Sequence, residues 1–534
     1  MTEAAHRSRK RVGVLLGVSA LLAATWVPAA RAQHGKRAQA TPGYGGSIAV
    51  AIQQPDCLDP QKTGLSASDS VMSQVMDPLM FIDDRGHFRP DLAVGWKISN
   101  GGKLLTFHLR HGVRFSNGDP FDANAVRYTV ERALNPATKS PVTAGDLAAV
   151  RTVKVLDRYT VQLILKTPSR PLMTSLTSSY DGILDPRATS KQGNESCQDP
   201  IGTGPFKVSE VGPGFSSITL VRNDYHTWET PAAHNRGRAY LSRIVFKTIT
   251  SDATIVSELL TGGVDIASVA GTQIARVRGN RNIDLHSIPE QGEVFVGFNY
   301  AHPPFDRLQV RRAVAEAVDR RALIKAALNG LGEPVYSALP PTVLYGLPSK
   351  TARRYAARYD PRDARRLVAA GHTTGPYTLL VPQLPQFSTA AELIQAELAQ
   401  VGMAVNIVAE PVPAYLSSAG QGRFDIYLLG WSYNDPDVLY TMFHSSQGKG
   451  AGLNFTNYGG ATLDHLLVQG RETVNSTKAH RIYQRIQVFM ARQSFIVPLA
   501  LSTQPIGVRS RVKEWHYVKP ANATLYQDAY VVSR

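Results

Sequence analysis

The sequence predicts an α/β fold, and three observations carry that expectation. Segments with apolar residues at every second position alternate, along most of the 534 residues, with segments whose apolar residues recur every three or four positions. Several of the helical segments open on a capping or Pro residue and close at Gly. Composition is globular, at 43% hydrophobic and 19% charged. Only one apolar run, near the N-terminus, is long enough to raise a membrane question, which excludes a polytopic membrane protein. The length corresponds to about three domain-sized units.

The elements follow in order. In residues 47–52, Ile48, Val50 and Ile52 share one face of a strand. Residues 105–109 and 113–115 read as a hairpin-type pair around His111-Gly112. Residues 122–134 form a helix ended by Asn135-Pro136. Residues 153–165 alternate again, with a turn at Asp157-Arg158. A helix over 252–260 is stopped by Gly262-Gly263, and a longer one spans 310–328 up to Asn329-Gly330. Asp360-Pro361 opens another, with Gly371 after its end. Thr389 and Glu392 fit a capping box for a helix that ends before Gly402, and a strand over 403–408 follows. Residues 424–429 are apolar apart from Asp425 and predict a strand buried on both faces. A helix over 477–490 and a strand over 496–501 complete the set. No linker composition marks a domain boundary, which fits lobes that exchange the chain more than once.

Residues 1–32 read as a secretory signal. Arg7, Arg9, Lys10 and Arg11 precede an apolar stretch over 12–24, and Ala30-Arg31-Ala32 is a small-x-small cleavage site. Cleavage after Ala32 is expected, into the periplasm, and no Cys follows to make a lipoprotein. The formal charge of +16 then falls to about +12. Lys and Arg look scattered along the chain, which reads as a solvated basic surface. Export argues against a nucleic-acid partner. The two cysteines, Cys57 and Cys197, are either a disulfide or two separate buried thiols; an oxidising compartment favours the bond. Its loop would be worth at most roughly 5 kcal/mol.

Catalytic signatures are missing. There is no GxSxG elbow, phosphate loop, HExxH or calcium loop. His108 and His111 form an HxxH, but strand spacing puts the rings on opposite faces. The chain is expected to be no enzyme and to hold no cofactor or metal.

Several segments, in order, resemble the extracytoplasmic solute-binding proteins of family 5, the dipeptide- and oligopeptide-binding proteins of ABC importers. They are residues 45–52 with Leu58-Asp59-Pro60, "FRPDLAVGW" at 88–96, "TFHLRHGVRFSNG" at 106–118 with the helix after it, and "DPIGTGPFKV" at 199–208. "NDYHTW" at 223–228, "LLTGGVDI" at 259–266, "GFNYAHPPFDRLQVRRAVAEAVDR" at 297–320 and "FDIYLLGW" at 424–431 continue the series. "GTGPF" needs a sharp turn into a strand, which Gly and Pro supply. "RPDLA" reads as a turn that starts a helical segment.

The resemblance implies a two-lobed periplasmic-binding-protein fold with a two-strand hinge and an extra subdomain. Lobe I would hold residues 33–85, 200–296 and 502–534, the subdomain 86–199, and lobe II 297–501. It implies a monomeric receptor that takes peptides or peptide-sized solutes into an interlobe cleft and delivers them to an inner-membrane ABC permease with its ATPase. Other solutes, such as a nickel complex or an oligosaccharide, are the alternative. An exported hydrolase or a periplasmic chaperone are readings from other classes. The candidate cleft residues lie first in the loop after the 424–429 strand: Trp431, Tyr433, Asn434, Asp435 and Asp437. The aromatics offer stacking area and the carboxylates a partner for a cation, against the alternatives of a core Trp and of helix-capping Asp. The segment between Gly430-Trp431 and Asp435-Pro436 is shorter than in peptide-binding members, and no residue aligns with the Asp that holds a peptide ammonium there. Asp435 is the candidate replacement. Gln53 and Gln54, just past the first strand, and Asn457 and Tyr458, in "GLNFTNYGG", are further candidates, with ordinary turn chemistry as their alternative.

Overall fold

The computed structural model describes residues 42–532 apart from 194, 229, 231, 232, 236 and 522. The expected signal and its cleavage site lie outside the described residues. Apolar alternation builds the first strand, Ser47–Ile52, whose Ile48, Val50 and Ile52 are buried. It pairs in parallel with Arg243–Thr248 and, through Val50, with Ile266–Ser268. Ser217–Arg222 and Phe206–Val211 extend this half of the sheet antiparallel. The other half runs in the order Val405–Glu410, Tyr377–Pro382, Ile426–Ser432, Gly292–Phe298.

One strand joins the halves. Val497–Arg509 pairs through Val497, Pro498 and Ala500 with Gly292–Phe298, and through Thr503 to Arg509 with Ile283–Pro289. The chain therefore crosses twice, once between Pro289 and Gly292 and once near Ser502. This is the two-lobed architecture with a two-strand hinge. The strand Gly292–Phe298, which spans the expected lobe boundary at 296/297, pairs along its length with Ile426–Ser432. The expected strand over 496–501 continues to Arg509, since its C-terminal half finds partners in lobe I.

The subdomain is a four-stranded antiparallel sheet ordered Ala93–Ser99, Leu104–Leu109, Thr160–Leu165, Val150–Asp157. The helix Ala123–Leu134 packs on it, capped by the Asp122 carboxylate, which accepts from the Asn124 N–H. Two expectations fail here. Residues 113–115 form no hairpin partner, because both edges of Leu104–Leu109 are already occupied. "RPDLA" leads into the strand Ala93–Ser99 and not into a helix. In lobe II the expected helix over 310–328 is two, Leu308–Ala317 and Arg320–Ala327. Val318 is extended, and the Asp319 carboxylate accepts from the Arg321 and Ala322 N–H groups and so starts a new helix. Thr389 caps nothing, since its helix starts earlier, at Pro385. Among the described residues no helix is long and apolar enough to cross a membrane.

Cys57 and Cys197 are bonded, with Cα atoms 4.5 Å apart. The bond ties the loop after the first strand to the end of the subdomain. Beside it the fully buried Asp59 accepts from Arg132 Nη2 at 2.6 Å, Ser196 Oγ at 2.7 Å and the Gln61 N–H at 3.0 Å. Buried charge is tolerated when it is paired and hydrogen-bonded this fully.

Candidate functional site

A cavity of about 660 Å³ opens between the halves. That size falls in the range of small-molecule sites. Its lining comes from both lobes. The helix Ser66–Val75 contributes Asp69, and the short turn of helix at Thr143–Asp146 contributes Asp146. Subdomain residues 166–180 add Ser169, Ser175 and Tyr180. From lobe II come the end of Ile426–Ser432, the loop behind it, and Arg471 near the end of Ala461–Glu472. Gln291, within the first crossing segment, lies in the wall.

The loop after Ser432 is shaped by its own carboxylates. Asp435 Oδ1 accepts from the Asp437 N–H at 2.8 Å, which turns the chain into the helix Val438–Phe443. Asp435 Oδ2 accepts from Arg170 Nη1. Arg170 belongs to the subdomain, so this ion pair spans the gap between lobes, with both partners almost fully buried. The Arg170 guanidinium also lies over the lobe II ring of Tyr345, 4.8 Å from its centroid, and its backbone N–H donates to the Arg471 carbonyl at 2.8 Å. Asp437 pairs with Arg471 Nη2 at 2.8 Å, and Arg471 in turn stacks over Tyr440.

Several polar groups here lack a partner among the described residues. Asp437 is 5% exposed and its Oδ1 accepts nothing; Gln291 is 3% exposed and its Nε2 donates to nothing. Arg170 Nε and Nη2 are likewise unpaired. Native proteins rarely leave such atoms empty unless a ligand or movement fills them. Burial also loads the site with proton affinity. It pushes the Asp437 carboxyl up to about 7, against the opposing charge of Arg471. Burial, then the charge of Asp435, raises Asp146 to about 6. Burial raises Asp69 to about 6, opposed by the hydroxyl of Ser179. Behind them burial, then Asp146, lifts Asp181 well above the usual carboxylate range. A cationic group would relieve this set of carboxylates. Hydroxyl side chains outnumber apolar ones in the wall.

Of the residues singled out in the sequence, the structure brings Tyr433, Asn434, Asp435 and Asp437 to this cavity. Trp431 does not line it; it sits on the strand opposite Glu293 and packs against the lobe II core. Gln53 and Gln54 are exposed, and Gln54 Nε2 donates to the Gly214 carbonyl at 2.7 Å, holding a lobe I turn. Asn457 Nδ2 donates to Asn299 Oδ1 at 3.1 Å, and Tyr458 packs edge-on against Tyr300, so both build a turn of lobe II. Asp69, Asp146, Arg170, Gln291 and Arg471 were not singled out. No local pattern marks them, because their partners lie far away in the chain.

The family model for bacterial extracellular solute-binding proteins, family 5 Middle, matches residues 87–451. The chain is 26% identical to the glutathione-binding protein GsiB of Escherichia coli, over 99% of each chain. Among solved structures it resembles HbpA2 from Haemophilus parasuis, with a TM-score of 0.81, 22% identity, and 91% of this chain and 100% of that one covered. It also resembles the periplasmic binding protein DppA from Helicobacter pylori, solved with the peptide STSA, with a TM-score of 0.69, 24% identity, and 92% and 99% coverage.

Proposed function

The chain belongs to the bacterial extracellular solute-binding proteins of family 5, and on that premise we propose that it is the exported, monomeric receptor of an ABC importer for a cationic peptide or peptide-sized solute. Export uses the leader over residues 1–32, and the ligand is passed to an inner-membrane permease driven by its ATPase. The lobes divide where the strands cross, near residues 290 and 502. The cavity between them is the observation that carries this reading. Its walls come from both lobes, so a ligand touches all of its contacts only when the lobes are closed. Ligand therefore shifts the population toward the closed form, which the permease reads.

The carboxylates of Asp69, Asp146 and Asp437 are the partners for the ligand's ammonium or guanidinium, and Gln291 Nε2 for its carbonyl or carboxylate. Asp435 is committed to Arg170 and acts as a positioning residue. This charge balance differs from what glutathione needs, since that tripeptide carries two carboxylates and one ammonium. No bond is made or broken in this cycle.

The test is a thermal-shift series on the purified chain with a lysine-containing dipeptide, a neutral dipeptide and glutathione, together with native mass spectra for a retained ligand. Stabilisation should rank in that order, because mass action raises stability with affinity. Glutathione binding tightest would overturn the cationic assignment. No solute binding at all, with nothing retained, would overturn the receptor reading.

A further inference from the structure

The basic residues that look scattered in sequence are gathered by the fold of lobe II. A groove of about 360 Å³ is lined by Arg321, Lys350, Arg353, Arg354 and Arg358, all exposed. Its one acid is Glu333. None of the five cations forms an ion pair with a described residue, whereas Arg89, Arg238, Arg312 and Arg366 on the same molecule each hold an Asp or Glu. The floor is the ring of Tyr336. The buried Arg320 guanidinium lies 4.9 Å from its centroid and Arg353 5.6 Å. Arg320 Nε also donates to the Val335 and Pro498 carbonyls, so the floor is braced against the strand that crosses between lobes. Glu333 sits opposite Leu501 on that same strand. Five like charges around one concavity, with one counter-charge, produce a strong positive potential there.

We propose that this groove is a second binding site, separate from the interlobe cavity, for a multiply charged phosphate oxyanion. Guanidinium groups fit phosphate oxygens as a planar fork with paired donors, and four of the five cations are arginines. The volume suits a chain of phosphoryl groups better than a single small ion. The same chemistry is offered by a soluble phosphate compound and by an anionic lipid head group, and the two are told apart by experiment.

The test titrates the purified chain with inorganic tripolyphosphate by calorimetry, at low salt and at about 0.15 M, and sediments it with vesicles of phosphatidylglycerol or phosphatidylcholine. Two charge-matched double variants are compared, Arg353→Glu with Arg354→Glu in the groove, and Arg278→Glu with Arg281→Glu on exposed positions of lobe I. The expected result is one tripolyphosphate per chain, weakened about tenfold or more by the groove pair and hardly at all by the lobe I pair. Glu333→Gln should tighten it. Sedimentation with phosphatidylglycerol alone, lost in the groove pair, assigns the site to head groups; calorimetric binding without sedimentation assigns it to a soluble anion. Equal loss in both double variants, or no binding in any arm, overturns the proposal. Should the groove pair fail to fold, the milder Arg354→Ala with Arg358→Ala serves, with unchanged circular dichroism as its control.

Discussion

Two buried Arg–Asp pairs in this molecule look alike and differ in what surrounds them. Asp59 and Arg132 lie within one half, beside the Cys57–Cys197 bond, and Asp59 is saturated by Arg132, Ser196 and the Gln61 N–H. Asp435 and Arg170 lie across the gap between halves, and their neighbourhood keeps empty atoms on Arg170, Asp437 and Gln291. A fully satisfied polar network rigidifies one arrangement, while a partly satisfied one costs stability and waits for a partner. The first pair is architecture; the second belongs to a surface that opens and receives.

The largest expected effect is on the first pair. Asp59→Ala should cost about 3–5 kcal/mol in urea unfolding, because it strands a partly buried guanidinium. Loss of less than about 1 kcal/mol would erase the contrast between the two pairs. Next is the site itself. Asp146→Asn should weaken a lysine-containing dipeptide by about 1.5–3 kcal/mol in calorimetry and leave the unliganded fold intact. Unchanged affinity would remove Asp146 from the ligand's contacts.

Arg170→Met should be milder in unfolding than Asp59→Ala, below about 1.5 kcal/mol, because the stranded Asp435 can reach water by lobe opening. Small-angle scattering should show a larger radius of gyration for the variant without ligand. A variant as compact as the parent, and destabilised as much as Asp59→Ala, would make Arg170 a core staple instead.

A pH series sharpens the same point. Burial raises Asp437 to about 7 and Asp146 to about 6, so the folded chain holds protons that the unfolded chain has released from about pH 4 upward. The unliganded chain should therefore lose stability between about pH 4 and 7 and level off above, by several kcal/mol in total. Cationic-ligand affinity should move the opposite way and be higher at pH 8 than at pH 5. Parallel trends would contradict a cation held by these carboxylates. The smallest effect is at the surface: Arg89→Ala breaks an exposed pair with Asp83 and should cost no more than about 1 kcal/mol in the same urea assay.

Much of the fold was legible because its code is local. Asp122, Asp319 and Asp360 cap helices through N–H groups two or three residues away. Gly262 ends its helix in the left-handed region, where a missing Cβ removes the clash. Where sequence reading failed, a neighbour outside the window decided. Residues 113–115 alternate like a strand, yet both edges of Leu104–Leu109 were taken by other strands. Trp431 reads as a ligand platform, yet its strand presents it to the lobe II core.

The site divides the same way. Tyr433, Asn434, Asp435 and Asp437 could be named because they share one turn whose Asp, Asn and Pro residues have recognisable local chemistry. Arg170 could not, since the carboxylate it meets is 265 residues away. Periodicity and capping, which act over a few residues, determined the elements and the α/β class from sequence alone. Only the tertiary structure decided that one 13-residue strand serves both lobes, that carboxylates from distant segments share a cavity, and that dispersed arginines face one groove. Those outcomes rest on burial and charge acting through space, where chain separation carries no information.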